Sequence, residues 1–411
     1  MSCTAERMPG YKRTLKIYPW FAMLLNCLFW MPVFFLYLSG KCGLGGALQL
    51  EAIYYAGIAI LEIPSGFFSD RIGRRITLII ASLLLCTAYL LFAVGNTFLT
   101  FAAAEIVLAG GFAFASGTDT SLLYETLTIT GHQDDYLKQE SFVTRMSFIG
   151  GAFAAAAGGA LALISFPAAY YASFAAALCM LVLAVIMTEP KNCASPPPET
   201  AFHRQLFKLC GKSISKNLKF TFIFSISMTI LLHIPYEFYQ TYLDKLHISL
   251  QGKSLSPLIS GFHMAATMAA GAYAIKFIPP LIKRFSCRTV LLLLFAGELI
   301  LIFLMALLVH PIIAILLITR SLPRSITWPI IRALQAPELE NHERATFLSL
   351  QSLSGRLGYS GVLLLISSLA TDIRTDITKP LLAAGCIGLV LLAILLCTKQ
   401  PHKAIKLPQK Q

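Results

Sequence analysis

Long apolar runs separated by short polar segments repeat along the whole chain. A helix needs about 20 mostly apolar residues to cross a hydrocarbon core about 30 Å thick, and twelve runs are long enough to do so. Residues 77–93 lack the alternation of a membrane β-strand, and a helix bonds its own backbone groups in lipid. The pattern therefore predicts helical spans at 17–39, 46–69, 76–95, 97–128, 141–164, 166–188, 217–243, 255–282, 288–309, 311–336, 344–371 and 377–398.

The composition agrees with a polytopic membrane protein. Of the 411 residues, 56% are hydrophobic and only 13% are charged, whereas roughly a quarter of the residues in soluble domains are charged. The ten cysteines form no CxxC pair and no partnered spacing. We interpret them as packing residues rather than disulfide or metal sites, and we expect no cofactor.

The positive charges are distributed unevenly along the chain. The formal net charge is +13, which by itself could indicate a nucleic-acid partner. Most Lys and Arg residues, however, fall in segments that face the cytoplasm if the N-terminus lies inside, as the positive-inside rule requires. We therefore predict a multi-pass protein of the cell inner membrane with both termini cytoplasmic, no nucleic-acid partner, and only a few basic residues outside: Lys41, Lys245, Lys253, Arg374 and Lys379.

The longest polar stretch divides the predicted spans six and six. It covers residues 189–216 and contains three consecutive prolines, Pro196, Pro197 and Pro198, followed by a basic run. Many transporters consist of paired helical bundles. The sequence thus predicts an all-α membrane protein with twelve transmembrane helices in two pseudo-symmetric six-helix bundles, at 1–188 and 217–411, joined by a cytoplasmic linker at 189–216.

The loop between the second and third spans carries a specific motif. Residues 66–75 read GFFSDRIGRR. This resembles the loop 2-3 signature of the major facilitator superfamily, G-x-L-a-D-R-x-G-R-R, with Phe68 in place of the usual Leu. The resemblance implies the superfamily fold and arginines that reach an acid at the inner end of the fourth span, which Glu125 matches. The predicted cytoplasmic gate comprises Gly66, Asp70, Arg71, Gly73, Arg74, Arg75 and Glu125.

Several carboxylates lie inside apolar spans of the first half. A charged side chain near the bilayer centre costs at least about 2.5 kcal/mol, so each requires a partner or a function. At 100° per residue, Glu51 and Glu62 lie about 20° apart on the second span, and Glu105 and Asp119 about 40° apart on the fourth. Proton coupling is assigned to Glu105, Asp119 and Glu62, whereas Glu51 lies near a span end.

The second half contributes arginines instead. Arg320 and Arg324 lie about 40° apart on the tenth span if that helix is regular, although Pro323 and Pro329 are expected to interrupt it. Arg356 lies within the eleventh span. The predicted substrate-binding residues are Arg320, Arg324, Arg356, Asn26, Trp30 and Tyr239.

Other interpretations of these groups stay open. The acids and arginines could form salt bridges that only stabilise one closed state, or charges near span ends could reach the membrane interface. The polar cluster on the seventh span, which includes His233, Tyr236, Glu237 and Tyr239, is more typical of an interfacial belt than of a binding wall. His263 is expected to be a packed residue, and Glu298 has no evident partner.

These observations predict a secondary active transporter rather than an enzyme. We expect alternating access, protons as the coupling ion because no G-x-x-x-x-G-K-[ST] loop is present, a small polar or carboxylate-bearing substrate, and export. The expected partners are this substrate, protons and the lipid bilayer, and the chain is expected to be monomeric. Multidrug efflux or siderophore export is the alternative within the class, and a transport-inactive membrane receptor or an integral-membrane enzyme is the alternative outside it.

Overall fold

Helices make up nearly all of the structure, a computed structural model that describes residues 2–190, 216–335, 338, 341–370 and 376–398. In the first half of the chain the helices are α1 (Ser2–Leu25), α2 (Phe34–Ile72), α3 (Arg74–Val94), α4 (Phe98–Ala115), α5 (Thr118–Ile129), α6 (Tyr136–Ala162) and α7 (Phe166–Ile186), with a 3-10 turn at Gln133–Asp135.

The second half begins with α8 (Lys216–Lys245), which is followed by a short antiparallel hairpin of β1 (Ser249–Leu250) and β2 (Lys253–Ser254). The remaining helices are α9 (Ser256–Ala274), α10 (Ile278–Arg284), α11 (Cys287–Leu307), α12 (Pro311–Leu316), α13 (Leu322–Gln335), α14 (Asn341–Ser367) and α15 (Thr378–Cys397), with 3-10 segments at Ile275–Phe277 and Leu317–Ser321.

The predicted spans all fall on helical segments, which confirms the all-α membrane fold class. Within the described residues, eight stretches are long and apolar enough to cross a membrane: Phe34–Glu62, Arg74–Val94, Phe98–Ile129, Phe166–Ile186, Leu218–Lys245, Ser256–Arg284, Cys287–Leu307 and Thr378–Cys397. The other predicted spans, 17–39, 141–164, 311–336 and 344–371, are largely helical but lie outside this set of eight.

Two predicted spans are not continuous helices. The span at 17–39 is interrupted by turns at 26–33, and two helical segments of α2 then meet at Gly43, whose φ of +73° ends the first crossing. The span at 97–128 is broken at Gly117, whose φ of +75° is left-handed and separates α4 from α5. The hydrophobic pattern does not reveal either break, because apolar residues continue through both.

The described chain clusters into two compact units, which are not cut at a single boundary. The first contains the described residues of Met1–Tyr37, Ile53–Pro197 and Pro257–Phe262, and the second contains the described residues of Leu38–Ala52, Pro198–Ser256 and His263–Gln411. The predicted bundle boundaries at 188 and 217 remain a prediction, and most of the predicted linker, 191–215, lies outside the described residues.

Small residues allow close helix packing within each unit. In the first unit α3 packs against both α4 and α7, and α1 packs against α6. A Cβ atom added at Gly158 of α6 would lie 2.7 Å from the carbonyl carbon of Phe29. In the second unit α11 packs against α15, where a Cβ atom at Gly388 would lie 2.6 Å from Leu299 Cδ1. Close approach at small residues is a common way for membrane helices to associate.

Candidate functional site

The predicted gate residues form a hydrogen-bonded network around Arg74. Its guanidinium pairs with Asp70 and with Glu125, to which Nη2 donates at 3.0 Å. Nη1 also donates to Ser69 Oγ at 2.9 Å, and Thr118 Oγ1 donates to the same Ser69 oxygen at 3.0 Å. This group, here called the Arg74 network, joins the end of α2 to α3 and α5.

Glu189 is a member of the Arg74 network that the sequence analysis did not identify. Its two carboxylate oxygens accept hydrogen bonds from the backbone N–H groups of Arg74 and Arg75, both at 2.8 Å. Helix α3 begins at Arg74 without a side-chain cap from Gly73, so Glu189 satisfies two of its unpaired amides. Burial raises the pKa of the Glu189 carboxyl above its usual value, and the hydrogen bonds from the Arg75 and Arg74 amides oppose that shift.

Gly73 explains why the carboxylate can approach this closely. Its φ is +111°, and a Cβ atom there would lie 2.8 Å from Glu189 Oε1. Any other residue would meet both backbone strain and a steric clash. A glycine at position 73 is therefore required for Glu189, which follows α7 and lies more than a hundred positions away in the sequence, to contact the start of α3.

The rest of the predicted gate does not converge on Arg74. Arg71 is exposed and lies over the Phe67 ring at 4.2 Å. Arg75 uses Nη2 to donate to the carbonyl oxygen of Val185 at 2.6 Å. A Cβ atom at Gly66 would meet nothing within 4 Å. The gating role of the whole motif stays a prediction.

The break at Gly117 separates Glu105 from Asp119, two of the acids predicted for proton coupling. Glu105 is buried on α4, whereas Glu62 on α2 and Asp119 on α5 are half-buried. Asp119 Oδ1 accepts a hydrogen bond from the Thr120 N–H at 2.7 Å. The shared face predicted for Glu105 and Asp119 assumed a continuous helix, and the break at Gly117 removes that assumption.

Asn26 and Trp30, two predicted substrate ligands, lie in the break of the first crossing. Asn26 Nδ2 donates to the Ala22 carbonyl at 2.9 Å. Trp30 is buried and stacks on Tyr170, with ring centroids 6.1 Å apart. In this structure Trp30 is a packing residue of the first unit, and its substrate contact remains a prediction.

Arg320 lies at the centre of a buried polar cluster in the second unit. Its Nη1 atom contacts His263 Nδ1 and donates to Thr267 Oγ1, both at 2.9 Å, and to the Leu317 carbonyl at 3.0 Å. The guanidinium carbon lies 4.0 Å from the centroid of the Tyr239 ring. His263 Nε2 lies 2.9 Å from the Ala314 carbonyl, so His263 donates from Nε2 and accepts at Nδ1 as a neutral ring.

A regular helix would place Arg320 and Arg324 on one face, but in the structure the two do not share a face. Arg320 is 5% exposed, whereas Arg324 is exposed. The difference arises because Arg320 belongs to the 3-10 segment Leu317–Ser321, and Arg324 to α13. The two segments advance by different angles per residue.

Arg324 instead belongs with Arg356 and His233. Both arginines act electrostatically on His233, whose Nδ1 lies 2.6 Å from the Thr229 carbonyl. The His233 ring lies 4.9 Å from the Tyr359 ring, and Tyr359 donates to the His233 carbonyl at 3.3 Å. These residues, His233, Arg324, Arg356 and Tyr359, are called the arginine cluster below.

The polar residues of α8 are internal rather than interfacial. Glu237 and Tyr239 are buried and Tyr236 is half-buried, so the first two do not face lipid as residues of an interfacial belt do. Two members of the arginine cluster, Arg324 and Arg356, are substrate-binding residues predicted from the sequence, and His233 belongs to the polar cluster of the seventh span. The sequence analysis did not identify Tyr359.

The family is decided by a match that covers most of the chain. Residues 19–363 match the model of the Major Facilitator Superfamily. The chain belongs to this superfamily. It is therefore a multi-pass membrane transporter of the secondary type, and not an enzyme. No protein with a curated description matches the chain significantly in sequence.

Solved structures share this fold at low sequence identity. A mutant of the nucleoside transporter NupG is 16% identical, with a TM-score of 0.77, over 94% of this chain and 100% of that one. A mutant of the peptide transporter POT is 14% identical, with a TM-score of 0.70, over 94% and 93%. A D-xylose-proton symporter is 15% identical, with a TM-score of 0.68, over 97% and 100%.

Proposed function

We propose that this superfamily member carries a small carboxylate-bearing molecule, and that the arginine cluster binds its anionic group. The observation that carries the proposal is that two arginines, one exposed and one half-buried, lie within electrostatic range of His233. A guanidinium presents several donors in a planar fork that matches a carboxylate. A cluster so rich in donors favours an anionic ligand over a neutral one.

Protons are the proposed coupling ion. The sequence contains no phosphate-binding loop of the kind that ATP-driven transport requires. One structural neighbour is described as a D-xylose-proton symporter. Ionisable groups inside membrane helices are typical of proton pathways, and this chain buries several. Export, the inner-membrane location and the monomeric state remain predictions from the sequence.

The Arg74 network is proposed to hold one of the two states of the transport cycle. It ties α2, α3 and α5 together with the end of α7 through two ion pairs and two amide-carboxylate bonds. Such a network has a definite bonded arrangement, and a transport state that keeps these bonds is favoured over one that breaks them. This role is compatible with the alternating access expected of the family.

Transport by purified protein in sealed liposomes tests the substrate class. The panel comprises succinate and benzoate as anions, with uridine and D-xylose as neutral probes, each with and without an imposed pH gradient. We expect gradient-dependent flux of an anion and a reduction in kcat/KM of about 10- to 100-fold in Arg324→Ala and Arg356→Ala, the effect of losing one charge-assisted contact.

Arg332→Ala provides the matched control, because Arg332 is an exposed arginine on the same helix, α13. Its kcat/KM should stay near that of the wild type. Flux of uridine or D-xylose without flux of either anion would contradict the proposed substrate class. Equal reductions in kcat/KM in Arg332→Ala and Arg324→Ala would show that the arginine cluster does not bind the substrate.

A further inference from the structure

Glu298 is a buried carboxylate that neither the Arg74 network nor the arginine cluster uses. It lies near the middle of α11, in the most apolar of the eight spans, and is 2% exposed. Its Oε1 atom makes no hydrogen bond within the described residues. A carboxyl group at such a depth is expensive when ionised and unpaired, so its position requires an explanation.

Glu298 lies on α11, which packs against the 3-10 segment that carries Arg320. The two side chains interact electrostatically, yet Arg320 directs Nη1 to three acceptors of other residues, His263, Thr267 and Leu317. In this arrangement the positive charge is held by neutral oxygen and nitrogen atoms and by the Tyr239 ring. Arg320 thus makes its bonds without the carboxylate.

The surrounding helices contribute other ionisable groups, among them the buried Glu237 of α8, which acts electrostatically on Tyr239. Helix α8 brings Tyr236 and Tyr239 to Arg320, and α9 brings His263. Within the described residues, no charged group of α10, α12, α13 or α15 acts on Glu298. The protonation state of Glu298 therefore depends on the position of the Arg320 guanidinium and on its own burial.

We propose that Glu298 is the proton-binding site of the transport cycle and that Arg320 is the residue that senses its charge. With the proton bound, Glu298 is neutral and Arg320 keeps its bonds to His263 and Thr267. When the proton leaves, the negative carboxylate attracts the guanidinium, and those bonds open. The proton leaves and returns without any other covalent change.

The fold connects this pair to the arginine cluster. Arg320 precedes Arg324 by four residues along the chain, and Tyr239 follows His233 by six residues on α8. The segments that surround the Arg320 guanidinium therefore also carry Arg324 and His233. This inference rests on the proposed function, because it supplies the proton step of that transport.

Infrared spectroscopy tests the proton site without a substrate. The full chain, reconstituted in liposomes, is titrated with pH, and the carbonyl band of protonated carboxyl groups is recorded for the wild type, Glu298→Gln and Glu105→Gln. We expect one titrating band to disappear in Glu298→Gln and to remain in Glu105→Gln. A spectrum of Glu298→Gln with every wild-type band, or loss of the band in Glu105→Gln alone, overturns the proposal.

A second measurement uses the succinate and benzoate fluxes. Glu298→Gln should lower pH-gradient-driven accumulation at least about tenfold, while exchange of labelled for unlabelled anion, which needs no net proton movement, continues. Unchanged accumulation in the variant also overturns the proposal. If neither anion is carried by the wild type, the proposed substrate class fails, and the infrared result still decides the role of Glu298.

Folding is checked by thermal melting of each variant. If Glu298→Gln does not fold, Glu298→Asp keeps the acid but withdraws it by one methylene group, and Arg320→Lys keeps the charge but loses the planar fork. We expect both to shift the carbonyl band in frequency or in midpoint. Wild-type spectra in both variants would overturn the proposal.

Discussion

Arg74 and Glu125 are joined through a single carboxylate oxygen: Nε of Arg74 donates to Glu125 Oε1 at 3.1 Å and Nη2 donates to the same atom at 3.0 Å. The exposed fractions of the two side chains are 19% and 14%. Because both are mostly shielded from solvent, the pair is expected to contribute more than a typical surface ion pair.

A double-mutant cycle measures this coupling. Arg74→Gln, Glu125→Gln and the double variant should give an interaction free energy of about 1 kcal/mol in thermal or chemical unfolding in detergent. The control cycle combines Glu125→Gln with Arg71→Gln, because Arg71 is exposed and lies over Phe67. That cycle should be additive. An additive result for Arg74 and Glu125 would mean that their contact contributes no measurable stability.

Glu189 should give the stability a distinct pH dependence. Its raised pKa means that the folded chain binds the proton more tightly than the unfolded chain. The free energy of unfolding contributed by this group therefore falls as pH rises from the unfolded pKa, about 4.3, through the folded pKa. Glu189→Gln does not titrate, so its stability relative to the wild type should increase across this range.

Melting temperatures of the wild type and Glu189→Gln between acidic and neutral pH check that sign. The exposed Asp134→Asn substitution, in the 3-10 turn, is the control for a carboxylate-to-amide change elsewhere. A stability of Glu189→Gln, relative to the wild type, that falls with rising pH would reverse the conclusion that burial dominates at this carboxyl.

Gly158 and Gly151 offer a matched pair on α6. A Cβ atom at Gly158 would lie 2.7 Å from the carbonyl carbon of Phe29, whereas one at Gly151 would lie 3.5 Å from the Asn26 carbonyl oxygen. Gly158→Ala should destabilise by about 1–3 kcal/mol through overpacking, and Gly151→Ala should be nearly neutral. Thermal melting in detergent distinguishes them. Equal effects would show that the first crossing moves away from α6 at little cost.

The Tyr239 ring should stabilise Arg320 through its face rather than its hydroxyl. The guanidinium lies 4.0 Å from the ring centroid, and the hydroxyl makes a 3.8 Å contact with Met264 Sδ. Tyr239→Leu should therefore be less stable than Tyr239→Phe by about 2 kcal/mol, the value for a desolvated cation–π contact. Unfolding measurements on the two variants compare them directly. Equal stabilities would show that the Tyr239 ring does not stabilise Arg320.

The sequence was most informative where structure follows from local composition. The spans follow from residue-by-residue hydropathy, and the pairing of Arg74 with Glu125 follows from a motif whose partner position is fixed in the family. The contact of Glu189 with the start of α3 could not be predicted, because its partners are backbone amides and every residue type except proline has one. Only the approach of the end of α7 to Gly73 reveals it.

The internal charges show the limit of helical geometry. The angular arithmetic for Arg320 and Arg324 assumed a regular α-helix, and the 3-10 segment invalidated it. The same assumption failed for Glu105 and Asp119 at Gly117. Glu298 and His263 were visible as polar residues in apolar spans, but their relation to Arg320 depends on the packing of three helices and could not be obtained from spacing.

The left-handed backbone of Gly117 divides one crossing into two helical rods, α4 and α5. The shorter rod, α5, is about 18 Å long at 1.5 Å per residue and carries Glu125, whereas the longer rod carries Glu105. The ion pair of Glu125 with Arg74 can therefore open at one end of the fourth crossing without rotating Glu105 at the other end. The joint at Gly117 would confine such a motion to the membrane surface where the ion pair forms.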